Sequence, residues 1–146
     1  MPERETVARA RRDAEEGKSP STQAGEFVRE EIHHVREGKH GARSPQQAIA
    51  IGLSKARRTG VKLAPPKGQS SAIRKKAAQD LKAGEEGGHR PAPKRARGTL
   101  GALKRESKSS VSSMALSRQA KKASGRRGKQ SRSVAAAKAA RTRKAA

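Results

Sequence analysis

The sequence predicts a mostly α protein: a small antiparallel helical hairpin with a long basic tail, largely disordered or conditionally helical. Three observations lead there. The stretch Ser44 to Gly60 states its own start, buried face and end as one helix. A second amphipathic pattern precedes it across the short linker KHGAR. Bulky side chains are then scarce: among 146 residues only Phe27 is aromatic, with no Trp, Tyr or Cys. Much of the apolar remainder is alanine, which buries little area per residue. Ordering a residue costs about 1–2 kcal/mol of backbone entropy. This composition does not offset that along the full length.

In SPQQAIAIGLSKARRTG, Ser44 is an N-cap whose hydroxyl can accept from the free amides of the first turn. Pro45 falls at the first helical position, where a missing N–H costs nothing. Gln47 stands three residues after the serine, as in a capping box. Ala48, Ile49, Gly52, Leu53 and Ala56 recur at helical spacing and form one apolar stripe. Arg57 and Arg58 fall in the last turn, where the helix dipole favours cations. Gly60 suits the left-handed position that ends a helix, and Val61 supplies the apolar residue beyond it.

The preceding helix is expected from about Thr22 to Glu37, capped by Ser21 or Thr22 and stopped by Gly38. Ala24, Phe27, Val28, Ile32 and Val35 share its apolar face. The short linker returns the chain antiparallel. In the Ala48–Gly52–Ala56 row, small residues four apart let the two backbones approach closely. So small a core is marginal alone and calls for a homodimer through the hairpin, or another partner.

Three regions follow: residues 1–20, a polar N-terminal segment able to form a solvated helix; residues 21–64, the hairpin module; and residues 65–146, a basic low-complexity tail with short conditional helices. In the tail, Ser71 to Ala83 is a short helix ended by Gly84. EEGGHRPAPKRARG is extended. Leu100 to Glu106 and Met114 to Ala123 flank a serine-rich joint, and GRRGKQSRS is a basic turn. VAAAKAARTRKAA has high intrinsic helix propensity, opposed by repulsion among its cations.

The net charge is +23. Residues 1–60 hold 12 Lys and Arg against 9 Asp and Glu, whereas residues 61–146 hold 24 against 4. Such a polycation calls for an anionic partner. Nucleic acid is the most abundant that fits; acidic membranes, polyphosphate and acidic proteins share the charge. Absence of cysteine excludes disulfides and suits a reducing compartment. The first residues, MPERETVARARRDAEEGK, have no apolar stretch of a signal peptide. No run approaches the roughly 18 apolar residues of a membrane span.

Gly25 to Lys67 resembles a family of small basic bacterial proteins of unknown function. The shared pattern is a helix ending in REGKHG, then S-x-x-QAIAIGLSKAR-x-x-G, a proline pair and a basic tail. Its members are often labelled DNA-binding. The tail from Arg126 resembles in composition those of linker histones and histone-like bacterial proteins. The expected location is the cytoplasm, nucleoid-associated if the chain is bacterial.

No catalytic arrangement is visible, and no enzyme or cofactor is expected. Glu30, Glu31 and Glu37 beside Arg29 and Arg36 read as solvated helix pairs. His33, His34 and His40 do not read as a metal site. Helix neighbours point about 100° apart, and cysteine and ligand pairs at i, i+4 are absent. His34 borders the apolar stripe, where packing accounts for it. Lys62 to Gly68 lacks a phosphate-loop pattern.

The candidate nucleic-acid contacts are Arg57, Arg58, Lys62, Lys75, Lys76, Lys94, Arg95, Arg97, Lys104, Arg105, Lys121, Lys122, Arg126, Arg127, Lys129, Arg141, Arg143 and Lys144. Lysine and arginine neutralise phosphates and release condensed counterions without reading bases. No aromatics interleave to stack on bases. Duplex DNA is therefore the first partner, with RNA second. PAPKRAR, which has the form of a nuclear import signal, is read as another phosphate contact. The expected function is non-enzymatic, largely sequence-independent DNA binding. The competing readings are a disordered stress or desiccation protectant and an RNA- or ribosome-associated basic protein.

Overall fold

A computed structural model describes residues 2–87 and 92–145. Among these it forms seven α-helices: α1 (Arg4–Glu15), α2 (Pro20–Arg36), α3 (Pro45–Arg58), α4 (Ser71–Glu85), α5 (Pro93–Lys104), α6 (Ser113–Arg126) and α7 (Lys129–Ala145). A short 3-10 turn, Ser109–Val111, lies between α5 and α6. Contacts divide the chain into two units, Met1–Val111 and Ser112–Ala146.

Serines start four of these helices. Ser19, Ser44, Ser70 and Ser112 each accept a hydrogen bond from the backbone N–H three residues on, satisfying a donor that the helix itself leaves open. The start of α2 therefore differs from the expected Ser21 or Thr22. Ser19 is the cap because Pro20, fixed near helical φ, fits the first helical position. At α3 the capping box is displaced by one residue: Gln47 Oε1 accepts from Arg43 N at 2.6 Å. Gly60, at φ +100°, ends α3, and Val61 N–H returns to Ala56 O at 3.1 Å.

In the first unit α2 packs on α3, but the pair does not stand as a bare hairpin. α1 packs on α2 and α4 on α3. The core joins Ala10, Ala24, Phe27, Ala56 and Val61, with Val7, Leu53 and Leu63 against them. So α1 is not the solvated helix expected: Thr6 and Ala10 are buried. Within the chain, α1 and α4 cover flanks of the pair. Ala48, Gly52 and Ala56 are all buried, as the small-residue row requires.

Two further glycines permit close crossings. A Cβ on Gly84 would stand 2.0 Å from Arg57 O. Gly84 is thus no helix stop; it lies inside α4 where that helix crosses the end of α3. A Cβ on Gly41 would stand 2.0 Å from Glu106 O. Here the Lys39–Arg43 linker is held by the end of α5: Gly41 N donates to Leu103 O and Ala42 N to Ser107 O, both at 2.9 Å. Arg36 Nε adds a bond to Val111 O at 3.2 Å, and Val111 is fully buried. The serine-rich joint is therefore a clamp on the linker.

Of the two states expected of the tail, disordered or conditionally helical, the structure shows helix. α4 to α7 are formed, and α5 begins at Pro93 within the segment expected to be extended. Residues 88–91 of that segment lie outside the described residues. In the second unit α6 has no buried residue, and residues 129–144 of α7 are exposed throughout. These two helices rest on intrinsic propensity without a core, as conditional helices do.

Candidate nucleic-acid interface

The predicted contacts fall into two groups. Arg57 belongs inside the protein. Its residue exposure is 7%. Nε donates to Leu63 O at 3.0 Å and Nη2 reaches Ala64 O at 3.5 Å. Burial lowers the guanidinium pKa, opposed by the charge of Asp80. Arg57 thus ties the segment after Gly60 to α3 and is withdrawn from any phosphate. Arg58, half-buried, stands 3.7 Å from Asp80 Oδ1. Lys76 is exposed but also pairs with Asp80. That carboxylate is buried and accepts Ser54 Oγ–H at 2.7 Å. It joins α3 to α4.

The remaining residues are exposed. Lys62 follows α3 and Lys75 lies on α4; Lys94, Arg95, Arg97 and Lys104 lie on α5, with Arg105 at its end. Lys121, Lys122 and Arg126 lie on α6, and Arg127 caps it. Lys129, Arg141, Arg143 and Lys144 lie on α7. Sequence reasoning passed over Arg118, Arg132 and Lys138, equally exposed on the same two helices. The missed signal is helical spacing. Arg118, Lys122 and Arg126 are four apart and share one face, a pattern that adjacent basic pairs do not reveal.

Residues 112–146 hold 11 Lys and Arg and no Asp or Glu. The two helices therefore present cations without internal compensation. Phe27, the one aromatic, is fully buried and offers no stacking surface.

A second cluster lies between α2, α3 and the Lys39–Arg43 linker. Glu30 and Glu31 are buried, contrary to the expected solvated pairs. Glu30 accepts from Lys55 Nζ at 3.1 Å and from Glu3 N at 3.0 Å. Glu31 Oε2 is 2.7 Å from Lys55 Nζ, and its Oε1 is 3.3 Å from His40 Nε2. Beyond the Lys55 ion pair, Glu31 has no hydrogen-bond donor, and Oε1 is unsatisfied. His34 Nε2 meets Glu3 Oε1 at 2.9 Å, and Lys39 Nζ meets it at 3.1 Å. The His34 ring, then Lys39, bring the Glu3 carboxyl from 4.5 down to about 2. His33 is exposed, but the linker brings His40 back to His34.

Residues 16–68 match the model of a family of unknown function, DUF6496. The matching segment holds α2, α3, their linker, and with them Glu31, His34, His40 and Gly52. It ends before α4, so α6 and α7 lie beyond the DUF6496 match. No curated protein and no solved structure matches the chain. No helix among the described residues is long and apolar enough to cross a membrane.

Proposed function

We propose that the protein binds nucleic acid, duplex DNA foremost, through phosphate contacts with little sequence preference and no catalytic step. The observation that carries this is the pair α6 and α7: 11 cations over residues 112–146, no carboxylate side chain, and no packed core. Isolated helices of this length are marginal in water. Phosphates would screen the repulsion that opposes them and gain counterion-release free energy in return. Lys94, Arg95, Arg97, Lys104 and Arg105 extend the same chemistry to the first unit. Burial of Phe27 favours backbone contact over base stacking.

The test is a gel-shift series with duplex DNA, ribosomal RNA and heparin at increasing salt. Duplex DNA bound with steep salt dependence and indifference to sequence supports the reading. A marked preference for ribosomal RNA replaces DNA with RNA as the partner. No binding to either nucleic acid at low salt refutes the proposal.

A further inference from the structure

We infer that Glu31, His34 and His40 form a binding site for one divalent ion of the zinc class. One ligand atom from each residue lies within 4.8 Å of those from the other two. The carboxylate is fully buried, and the two imidazoles are 13% and 9% exposed.

The orientation of His40 supports the site. Its Nδ1 lies 3.0 Å from Gly41 O. A carbonyl only accepts, so Nδ1 carries the proton. Nε2, the other ring nitrogen, then faces Glu31 Oε1 at 3.3 Å. Oε2 is held by the Lys55 ammonium at 2.7 Å, but the buried Oε1 makes no hydrogen bond. A cation between Nε2 and Oε1 resolves this. An N–H held by a backbone carbonyl is also the usual outer support of a metal-bound histidine. The α5 clamp on Gly41 and Ala42 fixes that carbonyl's place in the fold.

Charge points the same way. Glu30 and Glu31 are both buried and share one ammonium, Lys55. A buried carboxylate without full compensation is costly. A divalent ion on Glu31 would leave Lys55 to Glu30, which it already bonds.

Two imidazoles and a carboxylate suit zinc and its neighbours rather than calcium or magnesium. Zinc bonds of about 2.0–2.2 Å place tetrahedral ligands roughly 3.3 Å apart, so modest side-chain rotation closes the cluster. A polar cavity of about 330 Å³, bordered by Glu3, His34 and Lys39, opens beside the cluster at His34. That leaves a fourth position for water or Glu3.

The test uses the full chain without affinity-tag histidines or nucleic acid. Co²⁺ is titrated and followed by its visible ligand-field absorption, then displaced by Zn²⁺. One Co²⁺ per chain is expected. His34→Ala and His40→Ala should each weaken binding roughly 10-fold or more, whereas His33→Ala should leave it unchanged. If His40→Ala loses its circular dichroism, His34→Gln decides, because its side chain is near the cavity and keeps similar volume. Absence of saturable one-to-one binding overturns the site. So does equal weakening by His33→Ala and His34→Gln.

Discussion

A Cβ on Gly52 would stand 2.7 Å from the Cα of Val28. Backbone, not a flexible side chain, fills that space, so α2 and α3 touch without room for a methyl group. Glycine inside a helix costs roughly 0.5–1 kcal/mol against alanine. Here the close approach is the compensation. Gly52→Ala should therefore destabilise the protein, by about 1–3 kcal/mol, despite its better helix propensity. Thermal unfolding followed by circular dichroism measures it. A higher melting temperature would show that α2 and α3 do not cross at Gly52.

Arg57 gives a second expectation. Its guanidinium binds the carbonyls of Leu63 and Ala64 and keeps Leu63 against the core. Arg57→Gln should cost about 1.5–3 kcal/mol, the range for hydrogen bonds to charged groups. DNA affinity under conditions where the variant is folded should be unchanged. Chemical denaturation and a DNA titration separate the two effects. Weakened DNA binding with unchanged stability would return Arg57 to the interface.

Asp80 carries the third. It is buried between Ser54, Arg58 and Lys76. Asp80→Ala should cost about 1–3 kcal/mol by leaving buried polar partners unsatisfied. The loss should concentrate in α4, seen as faster amide exchange over residues 71–85. Uniform exchange throughout the first unit would contradict a local role.

Helix α3 was legible because Ser44, Pro45, the apolar stripe and Gly60 act locally. Its observed bounds, Pro45–Arg58, lie inside that frame. The Gly52 crossing was legible because a glycine at a stripe position demands a close neighbour. The roles of Arg57 and Gly84 were not. Both depend on which distant segment crosses the end of α3, and spacing along one helix carries no such information. The His34–Glu31–His40 grouping was hidden likewise, since the linker and the α5 clamp return His40 to α2. Composition left the tail disordered or conditionally helical because it counts the missing core; the tail is helical, with alanine, lysine and arginine favouring helix.

The central claim is that the cations of α6 and α7 hold the phosphate backbone. The most direct measurement is the slope of log K against log[salt] for duplex DNA and the full chain. It should be compared with a variant in which Arg118, Lys121, Lys122, Arg126, Arg141 and Lys144 are changed to glutamine. About eight phosphate contacts give a slope of roughly −7, and losing six should make it shallower by about 5. Equal slopes and affinities for the two proteins would contradict the account.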